Sequence, residues 1–257
     1  VTVYQNDFAS IDASNTSQGY VMVKYNGTNE KVKLQITCPD QSCYTYLISD
    51  RGAYDTFPLT AGNGSYALQV LENVAGDTYT VSLAQSINVS IEDEFLPFLY
   101  PNQYVNFHTD SKAVSKGSDL AKDTYSDLDV VQNIYNYVIK NISYDTEKAQ
   151  NVSYGYVPDI DDTLSSKKGI CFDYAALMTS MLRSQNIPTK LEVGYSGDAY
   201  HAWISTYIDD KGWVDDIIQF NGNTWQIMDP TLAATNDSAA VKKYVGDGSH
   251  YVVKYTY

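Results

Sequence analysis

The stretch "KKGICFDYAALMTSMLRSQNIP", residues 167–188, decides the fold of the second half of this chain. Asp173 would lie in the first turn of a helix, where the helix dipole favours an acid, and Asn186 and Pro188 would end that helix. Apolar residues share one helical face, namely Ala175, Met178, Met181 and Leu182. The pattern predicts a helix that packs through this face and begins at Cys171.

A cysteine at a helix N-terminus can be reactive, because unpaired backbone N–H groups and the helix dipole favour the thiolate. The same N–H groups could bind an oxyanion. A thiol also needs a base, and His201 in "YHAWIS" lies in a predicted strand. Asp229 ends the last strand of the series and could orient the imidazole. Each residue alone also has a structural explanation. Cys171 could be a small buried hydrophobe, the His201 ring could be packed in the core, and Asp229 could belong to a turn. Their order along the chain favours one active site.

The segments "GICFDYAALMTSMLRSQNIPTKLEVGY", "YHAWISTY" and "WQIMDPT" together resemble the transglutaminase-like superfamily, whose core has a papain-type Cys-His-Asp arrangement. The resemblance spans about residues 120–235. It implies that Cys171 is the nucleophile, His201 the general base and Asp229 its orienting partner. The family usually has glycine where this chain has Asn186, and Asn tolerates the left-handed conformation expected there.

The resemblance also implies a second oxyanion-hole donor from a side chain upstream of the cysteine. Tyr144 in "ISYD" is the candidate for this donor. A core tyrosine that closes the preceding helix is the alternative explanation.

The predicted fold class is α+β: a papain-like transglutaminase core of helices and an antiparallel sheet, preceded by a small all-β, Ig-like sandwich. Short runs with a period of two, separated by turn signals such as Asn-Gly, indicate the sandwich. We expect a tail or linker over residues 1–18, the β-sandwich over 19–92 and the transglutaminase-like catalytic domain over 93–257.

Within the second half, Ser126 is a plausible N-cap for a helix over residues 127–141. The polar stretch 145–166 predicts a long loop. Strand signals then follow over residues 189–195, 199–208, 213–220 and 224–228.

The three cysteines bear on the compartment of the protein. Cys38 and Cys43 bracket "CPDQSC", a turn that could place them opposite each other in a hairpin as a disulfide. Such a bond would indicate an oxidising setting outside the cytoplasm. Two reduced cysteines are the alternative, and zinc is less favoured because no second pair of ligands accompanies them. The pairing would leave Cys171 unpaired.

Net charge argues against several partners. The formal charge of −14 disfavours nucleic acid and anionic lipid, since the field of the protein repels phosphate. No apolar run is long enough for a transmembrane helix. The first residue, Val1, is not methionine, so we expect a trimmed or a mature form, from which any signal peptide or lipid anchor has been removed. Glycosylation sequons in strand-like stretches, such as the one at Asn88, favour a bacterial source. We therefore expect an extracellular or cell-surface protein, and the resemblance indicates a Gram-positive bacterium.

We expect no cofactor and no metal. Animal transglutaminases require calcium, but the sequence has no EF-hand loop. The acidic run "DIDD" at 159–162 could bind a cation, although a solvated loop explains it better.

Three functions remain open. The first is thiol-dependent acyl transfer on protein or peptide carboxamides through a cysteine thioester. The second is a cysteine peptidase or amidase of the same fold, and the third is a non-catalytic cell-surface binding module. The expected partners are protein or peptide substrates, which could lie at the cell surface.

Overall fold

The computed structural model describes residues 1–196, 199–228, 233 and 253–257. The chain divides into two compact units, Val1–Pro97 and Phe98–Tyr257. This boundary lies five residues after the end expected for the β-sandwich. In the described part of the chain, no helix is both long and apolar enough to cross a membrane.

The N-terminal unit contains eight strands in two four-stranded antiparallel sheets, with the orders β1-β2-β3-β6 and β5-β4-β7-β8. A short 3-10 helix covers Thr16–Gln18. The strands are β1 (Val3–Gln5), β2 (Ala9–Asp12), β3 (Tyr20–Tyr25), β4 (Val32–Thr37), β5 (Cys43–Leu47), β6 (Asp55–Pro58), β7 (Gly64–Ala75) and β8 (Thr78–Val89).

The two sheets pack face to face as a β-sandwich. Tyr46 of β5 and Phe57 of β6 belong to different sheets, and their ring centroids lie 4.8 Å apart. Both side chains are almost fully buried. Buried and partly exposed residues alternate along β3 and β4, as the period-two sequence pattern requires. The Ig-like assignment of this sandwich stays a prediction.

The tail expected over residues 1–18 is wrong, because these residues form β1, β2 and the 3-10 helix. Ile11 is fully buried and lies opposite Val23 in the first sheet. The inward positions of this segment include the small side chains Ala9 and Ala13. Apart from Ile11, the buried residues of this segment are small, so the strand gives little hydrophobic signal, which explains the error.

The disulfide expected between Cys38 and Cys43 is not formed. In the hairpin of β4 and β5, Cys43 lies opposite Thr37, so Cys38 is one position out of register with it. Cys38 is buried whereas Cys43 is exposed, and both are free thiols. Because side chains alternate between the faces of a sheet, this offset points the two sulfurs to opposite sides. The hairpin therefore gives no support to an oxidising compartment.

The C-terminal unit is α+β, as the sequence predicts. A two-stranded parallel sheet pairs β9 with β10, and a five-stranded antiparallel sheet has the order β14-β13-β12-β11-β15. The helices are α1 (Lys112–Ala121), α2 (Asp127–Asn141), α3 (Thr146–Asn151), α4 (Ile160–Ser166) and α5 (Cys171–Ser184). The strands are β9 (Ser143–Tyr144), β10 (Lys168–Gly169), β11 (Thr189–Ser196), β12 (Ala199–Ile208), β13 (Gly212–Phe220), β14 (Trp225–Ile227) and β15 (Val253–Thr256).

Helix α5 is the central element of this unit. It packs against α1, α2 and α4 and against the strands β11 and β12. A Cβ added at Gly117 of α1 would lie 3.3 Å from the backbone of Met181, so these two helices approach closely. At the other end of α5, the buried Arg183 guanidinium donates hydrogen bonds to the carbonyls of Tyr100, Thr189 and Tyr257. These contacts fix both the rotation and the far end of the helix.

The helix predicted over 127–141 is confirmed with the same bounds, and Ser126 accepts a hydrogen bond from the backbone of Asp129. The loop expected over 145–166 is wrong, because α3 and α4 lie within it. In the acidic run, Asp159 caps α4 and Asp161 accepts hydrogen bonds from the first amides of α1. These carboxylates therefore cap helices.

Candidate active site

Cys171 is the first residue of α5, at the position that the sequence predicts. The backbone of Ile170 before it is extended, and the Ile170 amide donates a hydrogen bond of 2.9 Å to the Asp173 carboxylate. This bond caps the helix start. Gly169 makes the geometry possible, since a Cβ there would lie 2.7 Å from the Cβ of Asp173. The thiol is thus held at the N-terminus of a rigid helix.

The Asp173 carboxylate is the centre of a buried polar cluster. It is fully buried and accepts a hydrogen bond of 2.5 Å from the Tyr156 hydroxyl. The Lys148 ammonium lies 3.0 Å from its other oxygen and also lies over the Tyr156 ring. Burial lowers the pKa of Lys148, but its bonds to Tyr156 and Asp173 outweigh this, so that pKa is raised. The cluster attaches α3 and the segment around Tyr156 to the start of α5.

The environment of the Cys171 thiol acts on its pKa in two directions. Burial raises the pKa to about 12, and the Asp173 charge contributes to this rise. The backbone amides of Phe172 and Cys171 and the Tyr144 hydroxyl donate hydrogen bonds to the sulfur and lower the pKa. The donors stabilise negative charge at this point, but they do not outweigh burial. The resting thiol is therefore protonated at neutral pH.

Tyr144 reaches the sulfur because of the small parallel sheet. In that sheet, Tyr144 of β9 lies opposite Gly169 of β10, two residues before the cysteine. Burial and then the proximity of Cys171 raise the pKa of the Tyr144 hydroxyl, which favours its role as a donor. The structure thus brings Tyr144 and Cys171 together. The oxyanion-hole role of Tyr144 stays a prediction.

A cavity of about 530 Å³ opens beside the thiol. Cys171, Tyr144 and Tyr156 line it together with residues of the segment 152–155 and of the strands β11 and β12. This volume lies within the range of small-molecule and peptide sites. A substrate carbonyl could therefore reach the sulfur from this side.

His201 lies in β12, as predicted. Its neighbour in the strand, Tyr200, lines the cavity with Cys171, and neighbouring side chains of a strand point to opposite faces. His201 is 9% exposed and stacks on Trp203, with ring centroids 5.5 Å apart. Burial lowers the pKa of His201, which keeps its imidazole neutral at pH 7. A neutral ring is the form that a general base needs.

Asp229 lies outside the described residues, so the third member of the predicted triad has no described position. The triad of Cys171, His201 and Asp229 stays a prediction. The described residues hold no group of three or more His, Cys, Asp or Glu side chains that could bind a metal ion.

Sequence reasoning missed the residues that hold the site in place. Asp173 gave a signal through its first-turn position, but its partners Lys148 and Tyr156 lie in a stretch that looked like a loop. Tyr200 was also missed, because it directly precedes His201 in β12 and the sequence does not show which of the two side chains faces the cavity. No local pattern marks such contacts, since only the tertiary structure creates them.

The fold and the site define a class of protein: an α+β domain in which a helix begins at a cysteine and packs on an antiparallel sheet. Residues 115–215 match the model of the Transglutaminase-like superfamily. The matched region includes both Cys171 and His201.

Two curated relatives are each 30% identical to this chain over part of its length. The UPF0252 protein MJ1282 of Methanocaldococcus jannaschii matches over 118 residues, which are 40% of this chain and 34% of that protein. The kyphoscoliosis peptidase of Mus musculus matches over 107 residues, which are 37% of this chain and 16% of that protein. The chain therefore spans about a third or less of the length of these relatives.

A solved structure of a proposed cysteine protease from Cytophaga hutchinsonii is also similar. It has 14% sequence identity and a TM-score of 0.39, and the alignment covers 84% of this chain and 68% of that one.

Proposed function

We propose that this protein catalyses thiol-dependent acyl transfer on protein or peptide carboxamides through a thioester at Cys171. The observation that carries the proposal is the surroundings of the sulfur. The amides of Cys171 and Phe172 and the Tyr144 hydroxyl donate to it, and it borders a cavity of about 530 Å³. Donors placed where negative charge develops are the main catalytic requirement of acyl transfer.

The reaction follows from this arrangement. The thiolate sulfur bonds to the carbonyl carbon, and the electron pair of the carbonyl moves onto its oxygen near the donors. The carbon–nitrogen bond then breaks, and ammonia or an amine leaves with a proton. Water or a second amine attacks the thioester and returns the thiol. Because burial raises the pKa of Cys171 to about 12, the first step needs a base, for which the family resemblance proposes His201.

A peptidase or amidase would use the same steps up to the thioester. The name of the mouse relative, a peptidase, favours cleavage as the alternative outcome. The two differ only in the bond that is broken and in the acceptor that resolves the thioester.

Incubation with a glutamine-donor peptide and a labelled amine tests both activities at once. Amine incorporation and ammonia release would indicate transfer, while new peptide termini seen by mass spectrometry would indicate cleavage. We expect Cys171→Ala to abolish either activity and Tyr144→Phe to lower the rate about 100-fold, the usual effect of losing one oxyanion donor. Cys43→Ser is the matched control, because Cys43 is an exposed thiol of the other unit and should leave the rate unchanged.

The general base has its own test. His201→Ala should lower the rate about 100-fold or more if His201 accepts the proton. An unchanged rate in this variant would contradict that role but leave the thioester mechanism intact. The absence of incorporation, ammonia and cleavage with every substrate would overturn the proposed function.

A non-catalytic binding module is the second candidate. The high pKa of the buried Cys171 thiol favours it, because only the thiolate is the reactive form. Turnover separates the two, because a thiol with a pKa of about 12 should label slowly with iodoacetamide under either function. A Cys171 thiol that labels no faster than Cys43 at neutral pH, with no turnover, would favour binding. A cell-surface location stays a proposal in either case.

A further inference from the structure

The cavity beside Cys171 has an unusual lining. Seven of its fifteen described lining residues are tyrosines, and none of the fifteen is Asp, Glu, Lys or Arg. Charged residues make up 19% of the chain, so a lining of this size would ordinarily include some. The described lining of the cavity therefore offers aromatic surface and hydroxyl groups but no charged side chain.

The mouth of the cavity is aromatic as well. Tyr144 is 44% exposed, Tyr154 is 74% exposed and Tyr195 is 54% exposed. Val152 adds a further exposed apolar side chain there, at 40%. A group of exposed apolar and aromatic residues around one opening is the usual mark of a binding site.

Two charged residues adjoin lining residues in the sequence but pair with each other. Lys148 and Asp173, the neighbours of Ala149 and Phe172, form an ion pair at 3.0 Å. The Asp173 carboxylate also accepts hydrogen bonds from Ile170 and Tyr156. Because each charge has its partner, neither is available to a ligand in the cavity.

The chemistry of the lining selects among possible occupants. An ionised side chain would lose its hydration without finding an opposite charge, which is strongly unfavourable. A sugar ring could stack on the tyrosines, but the fifteen described lining residues include no carboxylate or amide side chain for its many hydroxyls. A planar or branched apolar side chain loses nothing on entry and gains contacts with the rings.

We infer that this cavity binds an uncharged aromatic or large aliphatic side chain of a peptide substrate, next to the carbonyl that Cys171 attacks. The inference rests on the proposed function for the attacked carbonyl, but the binding preference is independent of the chemistry.

Equilibrium binding to the Cys171→Ala protein tests the preference without the reaction. The probes are fluorescent short peptides that differ only at the residue before a central glutamine, which is Phe, Leu, Glu or Lys. High salt screens the long-range field of the acidic chain. We expect the Phe and Leu peptides to bind at least about tenfold more tightly than the Glu and Lys peptides.

A variant pair locates the effect at the cavity. Val152→Glu places a carboxylate at the mouth and should weaken the Phe peptide and strengthen the Lys peptide severalfold each. Val74→Glu is the matched control, because Val74 is an exposed valine of β7 in the other unit and does not line the cavity. It should leave both affinities unchanged.

Several results would overturn the inference. These are equal affinities for all four peptides, tightest binding of the Lys peptide, or the same response from both valine variants. Stronger competition by a neutral oligosaccharide than by the Phe peptide would assign the cavity to carbohydrate and also overturn it. Failure of the proposed function would show itself differently, as Phe-selective binding without turnover in the unmodified protein.

Discussion

Replacement of Asp173 by Asn removes one buried negative charge and changes almost nothing in shape. In the protein, the Asp173 carboxylate accepts bonds from Ile170 and Tyr156 and pairs with Lys148. The amide has only one acceptor oxygen, so it cannot satisfy all three partners.

The size of the effect follows from these contacts. Loss of one partner of a buried ion pair costs about 3–5 kcal/mol. The Lys148 side chain is 29% exposed and can turn towards water, which reduces the penalty. The remaining loss is that of a hydrogen bond to a charged group, about 1.5–3 kcal/mol. We expect Asp173→Asn to lower the free energy of unfolding by about 2–3 kcal/mol.

Urea unfolding followed by tryptophan fluorescence measures this change in the relevant unit alone. All three tryptophans of the chain, Trp203, Trp213 and Trp225, lie in the unit Phe98–Tyr257. With a slope of about 2 kcal/mol per M urea, the midpoint should fall by about 1 M or slightly more.

A control and a double-mutant cycle make the test sharp. Asp162→Asn changes an exposed acid in the first turn of α4 and should cost less than about 1 kcal/mol. Lys148→Met combined with Asp173→Asn should show a coupling of about 1 kcal/mol or more. A loss below about 0.5 kcal/mol for Asp173→Asn, or no coupling, would contradict the stabilising role of the buried polar cluster at the start of α5.

Other predictions concern the same helix. Gly169→Ala should lower the free energy of unfolding by about 1–3 kcal/mol, because its Cβ would overlap Asp173; an unchanged urea midpoint would contradict this. Asn186 has a φ of 61°, so Asn186→Ala should cost about 1–2 kcal/mol and Asn186→Gly less; equal midpoints for the two would show no strain. Iodoacetamide labelling of Cys171 should rise about tenfold per pH unit from pH 7 to 10, because only the thiolate reacts and the pKa is about 12. Tyr144→Phe should slow it at each pH, and a plateau below pH 8 would contradict the raised pKa.

The elements with a strong local pattern could be predicted from the sequence. Helix α2 combines an apolar stripe with an N-cap at Ser126, and its bounds match the prediction. Helix α5 begins at Cys171 and is followed by Asn186 in the left-handed conformation, as its end signals require. In both helices, capping and periodicity agree with the tertiary packing.

The elements without such a pattern could not be predicted. Helix α3 has no buried residue, and its start depends on a cap from Asp145. The start of α1 depends on Asp161, a carboxylate 49 residues away in the chain. Short helices of this kind are stable only through contacts with distant elements, which a local pattern does not contain.

The same distinction applies to the candidate site. Cys171 was found because a helix start has a sequence signature, and Tyr144 because the family resemblance directed attention upstream of the cysteine. The residue of β12 that faces the cavity could not be chosen, because Tyr200 and His201 are neighbours and the register of pairing with β11 decides between them.

The uncharged cavity has a consequence for how selectivity would respond to ionic strength. The chain carries a formal charge of −14, so acidic peptides are repelled and basic peptides attracted before contact. Salt screens that long-range field and should therefore change association rates. It should leave the discrimination inside the cavity nearly unchanged, because none of the fifteen described residues that line that surface carries a fixed charge. A basic peptide with one aromatic residue would thus associate quickly because of its charge and dissociate slowly because its ring binds in the cavity.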